Sequence, residues 1–496
     1  MQADSRKIIS ENIVADRSKL KIICVFLHRI YFGRIPYERQ YRGKKRKAMN
    51  ITELQQSYAS HPNVEGVCRL LKDNSVRHLY CGGLYASAAS LFSSVLVQRA
   101  TCPLVFILGD LEEAGDFYLE LTQILGTEQV LFFPSSFRRA IKYGQKDAAN
   151  EILRTEVLSR LQKGEEGLCV VTYPDALAEK VVSRKELGEN TLKLHAGERG
   201  DMDFVTDVLR SYGFEYVDYV YEPGQYAVRG SIIDVFSFSS EYPFRIDFFG
   251  DEVESIRTFE VETQLSKERK ESIVIVPDLS HSLEKRGSGG MVSFLDFLPS
   301  DSLLAMRDFL WLRERIQTVH DESLTPQAIA ARESEENGAI TLEGKLIDGG
   351  EFTLRALDFR RMEFGNKPTG TPDATVSFHT TVQPIFHKNF DMVAESFREY
   401  LSRHYTIYIC SDSLKQTDRI RAIFEDRGDN ISFTAVERTL HEGFADDTLR
   451  ICIFTDHQLF DRFHMYNLKS AKARSGNVAR SLQEQNQVHP GASVEH

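Results

Sequence analysis

The sequence lacks the cysteine spacing of a disulfide or zinc protein. Its 7 cysteines, Cys24, Cys68, Cys81, Cys102, Cys169, Cys410 and Cys452, form no CxxC pair, and their odd count and irregular spacing imply neither a disulfide framework nor a zinc site. They sit among apolar neighbours, as in Leu168-Cys169-Val170-Val171, and read as small buried hydrophobes in a reducing compartment. No apolar run approaches the ~20 residues of a membrane span. The run at 22–27 is stopped by His28 and Arg29 and is short for a signal-peptide core of roughly 7–15 residues. GxSxG and HExxH are also missing, and the 14 histidines are dispersed. No catalytic residue and no metal site is expected.

A further absence concerns nucleotides. Strand, glycine turn and helix are predicted over 78–91, the layout of a phosphate-binding loop. Such a loop needs GxxxxGK[ST]: glycines let backbone N–H groups cradle the phosphates, Lys reaches the β/γ-phosphates and Ser/Thr holds magnesium. The sequence here is LYCGGLYASAAS. It has no lysine, Tyr85 and Ala88 stand where small or charged residues are required, and GK[ST] occurs nowhere in the chain. Gly82, Gly83 and Ser87 are what is left of the loop, and the glycines read as a tight turn and a packing contact. The matching metal-binding carboxylate is sought in Leu303-Leu304-Ala305-Met306-Arg307-Asp308. Arg307 stands where the aspartate belongs, and Asp308 reads as a solvated turn residue. The site is expected to be inactive, with no nucleotide cofactor.

What is present is an ordinary globular composition, 42% hydrophobic and 27% charged, over 496 residues, enough for three or four compact units. The net charge of −11 is uneven. Residues 1–48 carry 13 Lys/Arg against 4 Asp/Glu, leaving 48 against 68 for the remainder. A body that acidic is a poor non-specific nucleic-acid binder, because phosphate contacts dominate such binding. The basic leader, ending in Arg42-Gly43-Lys44-Lys45-Arg46-Lys47, reads as a nucleic-acid-binding arm, or as a disordered or over-called start ahead of Met49; the second reading is preferred, since orderly patterning begins only there. Arg138, Arg139 and Lys142 face an anion or form a solvated helix face, the latter preferred.

From Met49 to about 192, helices and strands alternate: helices at 64–72, 86–98, 111–125 and 148–162, strands at 78–81, 104–108, 130–133 and 168–172. That alternation, with continuous apolar strands, predicts a parallel α/β sheet. From 193 to about 266 the texture becomes period-two strands and tight turns, with strands at 214–221, 226–236, 244–249 and 252–259 and a Gly250-Asp251 hairpin turn. Mixed α/β character resumes over 272–385, with a loop-like middle at 318–338. A compact α/β unit follows: helices at 390–403 and 414–427, strands at 406–410, 431–434 and 450–454. After about 469 the sequence turns polar.

In 244–249, Phe244, Ile246 and Phe248 face one way and read as core. Arg245, Asp247 and Phe249 face the other. In 225–230, Arg229 shares a face with Ala227, opposite Tyr226 and Val228. If these two strands are neighbours, Arg229, Arg245 and Phe249 share one exposed face of the residue types enriched in binding hot spots. Alternatively the arginines pair with Glu252, Asp247 or Glu254 as ordinary surface ion pairs and Phe249 is partly buried.

The run EPGQYAVRGSIIDVFSFSSEYPFRIDFFGDEVESIRTF, followed by TQLS, resembles a stretch shared by UvrB and the transcription-repair coupling factor family, Mfd. LFFPSSFRRAIKY before it and FLPSDSLLAMRD after it are similar to UvrB, and FTDHQLFDRFHMYNLKSAKARSG is similar to the segment leading into the polymerase-binding domain of Mfd. The resemblance covers about 49–491. UvrB keeps its P-loop; the loss here, with the tail, selects the coupling factor, and a UvrB-like protein with a non-standard ATP site is the alternative. The resemblance implies an α/β multidomain fold. A degenerate RecA-like parallel-sheet domain in two segments (49–192 and 278–385) is interrupted by a mostly antiparallel α+β UvrA-binding insert (193–277). A small α/β domain (386–470) and a linker (471–496) follow. It implies that Arg229, Arg245 and Phe249 contact UvrA, in a cytoplasmic protein. The family continues into a barrel that binds RNA polymerase and motor domains that use ATP and magnesium to translocate on double-stranded DNA. This sequence stops at His496, where that barrel is due, and reads as truncated.

Overall fold

The computed structural model describes residues 48–136, 148–277, 290–323 and 344–460. The leader 1–47, Cys24, Arg138, Arg139, Lys142 and the tail beyond 460 lie outside the described residues, as does most of the loop expected at 318–338. Residues 318–323 of that loop belong instead to the helix Phe309–Ser323. Its Ile316 and Val319 are buried, so the helical apolar spacing outlasts the polar residues between them.

A seven-stranded sheet runs in the order Ala374–Ser377, His78–Gly82, Arg360–Gly365, Leu303–Met306, Leu104–Ile107, Cys169–Thr172, Val130–Phe133. Every neighbouring pair is parallel. The strands Leu104–Ile107, Cys169–Thr172, Val130–Phe133 and Leu303–Met306 are buried throughout, which is why they read as unbroken apolar runs rather than alternating ones. The helix Ala88–Arg99 is buried from Ala88 to Val97. Its Ala and Ser residues let it lie close against its neighbours. The chain leaves this sheet after Cys169–Thr172 and re-enters at Leu303–Met306, between strands laid down earlier and later.

The excursion builds a second, six-stranded sheet in the order Ser266–Lys270, Glu252–Phe259, Phe244–Phe249, Ile232–Val235, Gln225–Arg229, Glu215–Tyr216. All pairs are antiparallel except the last. The single strand expected at 226–236 is thus a hairpin of two, turning at Gly230 with φ +61 and Ser231. Glycine adopts that left-handed conformation without a Cβ penalty. The strand expected at 214–221 shrinks to Glu215–Tyr216, since Val220 turns into a small separate apolar cluster with Ala227, Phe236 and Phe259. One face of this sheet packs Tyr226, Ile233, Val235, Phe244, Ile246, Phe248, Val253 and Ile256 against Val205 and Leu209 of the helix Met202–Ser211 and against Ile273 and Ile275. Each such buried side chain contributes about 1.5–3 kcal/mol, which fixes the register and leaves the other face shared between the small cluster around Val220 and solvent.

A third, six-stranded sheet has the order Met49–Asn50, Thr434–Glu437, Thr406–Ser411, Ile451–Thr455, Phe444–Asp446, Thr380–Val382. The strand expected at 431–434 starts where that segment ends, because Ile431 and Phe433 are only partly buried, packing against the core from irregular chain. Met49–Asn50 and Thr380–Val382 join this sheet from outside the segment 386–470. A buried polar group ties the layers together: Tyr58 Oη donates to Asp446 Oδ2 at 3.2 Å, and His61 Nε2 lies 3.4 Å from the same oxygen. Among the described residues no helix is long and apolar enough to cross a membrane.

Candidate functional site

The outward face of the antiparallel sheet carries an arginine cluster. The strands bearing Arg229 and Arg245 are not neighbours, as the sequence reading required; Ile232–Val235 lies between them. Its register sets Asp234 opposite Ala227 on one side and Arg245 on the other, and Ile232 opposite Arg229 and Asp247. Cross-strand partners point the same way, so Arg229, Asp234, Arg245 and Asp247 share a face. Asp234 is 1% exposed. Arg245 grips its carboxylate with two nitrogens, Nε to Oδ1 at 2.7 Å and Nη2 to Oδ2 at 2.8 Å. Arg229 Nη2 donates to the same Oδ2. Hydrogen bonding to Asp234 raises the Arg245 pKa still further above its ordinary value, so this guanidinium is permanently charged.

Each arginine also lies over a ring. Arg229 sits 5.1 Å from the centroid of Tyr219 and Arg245 4.6 Å from that of Phe259, distances at which cation–π attraction operates. Arg245 Nη1 donates to the Gln264 carbonyl at 3.1 Å. The Arg229 side chain is 37% exposed and that of Arg245 17%. Asp247, offered from sequence as a partner for these arginines, instead accepts from Ser255 Oγ at 2.7 Å and lies 3.7 Å from Arg257.

Phe249 is the most exposed large hydrophobic residue of the chain's described part, at 78%, so of the two readings the alternative of a partly buried Phe249 does not hold. A register shift between Asp247 and Phe248 sets Phe248 against Val253 and Phe249 against Glu252. The extra residue, Glu254, lies on the partner strand, so alternation along Phe244–Phe249 is unbroken: Phe248 stays in the core while Phe249, in step with Arg245 and Asp247, projects beside the Gly250 turn. Asp234 and Tyr219 were not singled out from sequence. The signal for Asp234 was available: it is the one charge in Ile232-Ile233-Asp234-Val235.

The remnants of a phosphate loop form a second candidate. Gly83 has φ +77, and a Cβ there would lie 2.0 Å from the Phe378 carbonyl oxygen, so the glycine serves a close backbone approach. Gly82 ends its strand. Ser87 precedes the helix Ala88–Arg99, whose first turn would meet a phosphate in a working loop. A carboxylate of the chain is there instead. Glu120 accepts from Ser87 Oγ, Ser90 Oγ and, at 2.6 Å, the His441 backbone N–H. The Glu442 backbone N–H donates to Ser87 Oγ at 3.0 Å. Burial, opposed by those hydrogen bonds, pushes the Glu120 carboxyl above its usual range.

The adjoining cleft, of about 340 Å³, is lined by Asp110, Glu112, Glu113, Asp116 and Glu442 as well as Glu120, with Arg307 and His441. Arg307 Nε pairs with Glu113 Oε1 at 2.8 Å. Asp308 accepts from the Trp311 backbone N–H at 3.0 Å, the role of a helix cap. Among the described residues no group of three or more His, Cys, Asp or Glu is arranged to hold a metal ion.

Residues 192–281, which contain the arginine face, match the UvrB interaction domain model. The transcription-repair-coupling factor of Bacillus subtilis (strain 168) is 21% identical over 456 residues, 76% of this chain and 38% of that protein. That of Staphylococcus aureus (strain bovine RF122 / ET3-1) is 22% identical over 478 residues, 84% and 41%. The chain is similar to transcription-repair coupling factors over most of its length. The Escherichia coli (strain K12) coupling factor is 30% identical over 198 residues, 40% of this chain and 17% of that protein. The chain thus spans less than half the length of the coupling factors it matches.

Proposed function

We propose that this chain is the UvrA-docking portion of a transcription-repair coupling factor and has no ATPase or translocase activity of its own. The observation that carries the reading is Phe249, 78% exposed on the same face as Arg229 and Arg245 within the UvrB interaction domain. An aromatic held in water beside ordered guanidiniums is the composition of a binding hot spot. In a full-length coupling factor this face recruits UvrA, and with it excision repair, to RNA polymerase stalled at a lesion. Polymerase and double-stranded DNA are then engaged by other parts of such a protein, not by residues 49–460.

The parallel sheet is best read as a degenerate RecA-like domain in two segments, split by the insert. Support for its lack of nucleotide chemistry is local: Glu120 stands at the helix end that a phosphate needs, and the cleft beside it is acidic. A UvrB-like ATP site has to overcome that repulsion without a lysine. Two measurements test the proposal. UvrA affinity is measured for the wild type and for Arg229→Ala, Arg245→Ala and Phe249→Ala; a central hot spot costs about 2 kcal/mol or more on truncation, and unchanged affinity in all three defeats the docking role. Calorimetry with ATP and magnesium is expected to be silent, and a saturable heat defeats the second half.

A further inference from the structure

We infer that Asp234 is a positioning residue for the docking face, holding Arg229 and Arg245 side by side in the arrangement a partner meets. The inference rests on the docking reading and deepens it. One buried carboxylate serves two guanidiniums: Arg245 through both oxygens, Arg229 through Oδ2. Ala227, paired with Asp234 across the strands and buried, leaves room for the arginines to reach it. Free arginine side chains sample many rotamers, and a partner that fixes them loses about 0.5–1.5 kcal/mol for each. Here that ordering is already done. The Tyr219 and Phe259 rings and the Gln264 carbonyl complete a socket for each guanidinium.

The charge balance also favours recognition over simple neutralisation. The two carboxylates of this face, Asp234 and Asp247, meet three guanidiniums, those of Arg229, Arg245 and Arg257, so the group keeps net positive charge on a body that is strongly acidic overall. Arg229 keeps donors toward solvent, its side chain being 37% exposed. Asp234 itself, at 1% exposure, does not reach a partner and acts only through the arginines. The complementary surface is one that presents a carboxylate to the arginines and an apolar recess to Phe249.

The test uses Asp234→Asn in the whole chain, with UvrA affinity and the reactivity of Arg229 and Arg245 toward phenylglyoxal, read by peptide mass mapping, measured together. Affinity is expected to fall about 10-fold or more while both arginines become more reactive. Wild-type affinity, or a loss of affinity with arginine reactivity unchanged, overturns the inference. If the wild type does not bind UvrA yet the variant's arginines become more reactive, the ordering by Asp234 stands and UvrA fails as the partner. Should the asparagine variant not fold, Asp234→Glu decides. It keeps the charge, and affinity and arginine protection must be retained or lost together; loss of one without the other overturns the inference.

Discussion

The His441 backbone N–H donates to Glu120 Oε1 at 2.6 Å, so a loop from the last third of the chain helps hold a carboxylate at the start of the helix Ala88–Arg99. A group buried and raised in pKa in this way leaves a signature in the pH dependence of stability. Burial is the largest influence on Glu120 and raises its pKa. A carboxyl with a folded pKa above its unfolded value binds its proton more tightly when folded. Its stabilising contribution is full below the unfolded pKa, about 4.3, and is lost as pH rises through the folded one. Glu120→Gln cannot titrate. Thermal melts of both proteins across that window are expected to move in the variant's favour as pH rises. A constant gap means that Glu120 does not change its proton affinity on folding.

Gly83→Ala probes the glycine remnant for a structural role. The new Cβ meets the Phe378 carbonyl oxygen at 2.0 Å in a backbone with φ +77. Strain of that kind costs on the order of 1–3 kcal/mol, and the clash adds to it. Urea unfolding is expected to show a loss of at least about 2 kcal/mol. Near-wild-type stability shows that the turn has room to move.

The two faces of the strand Phe244–Phe249 separate stability from binding. Ile246 is fully buried, and Ile246→Ala is expected to cost about 2–5 kcal/mol in denaturant unfolding. Phe249→Ala removes an exposed ring and is expected to stay within about 0.5 kcal/mol of the wild type. A large destabilisation by Phe249→Ala means that the ring is packed in solution, and it weakens the docking assignment.

Much of the fold was legible because periodicity is a direct record of burial. The helix Leu111–Leu125 and the strands Val130–Phe133, Phe244–Phe249 and Glu252–Phe259 fall where the pattern put them. The hairpin at Gly230 was missed although the core positions switch parity across it, from Tyr226 and Val228 to Ile233 and Val235, as a two-residue turn requires: Arg229 and Ile232 are cross-strand partners on one face. The site was legible in part. Strand parity alone placed Arg245 with Phe249, but the neighbour of Arg245 was misjudged, and with it the carboxylate that organises the face. Glu120 gave no sign at all. On its helix it is one acid among several, and only the third dimension sets it against Ser87, Ser90 and His441.

The pairing of Met49 with Val436 and of Asn50 with Glu437 sets an order in time. A ribosome releases Met49–Asn50 long before their partner strand exists. Until the chain has grown past Glu437 that edge cannot close, whereas the insert, whose six strands lie close together in sequence, has all it needs much earlier. Contacts between near neighbours along the chain form fastest, so the docking face is expected to be in place on the nascent chain while the sheet that begins at Met49 is still incomplete.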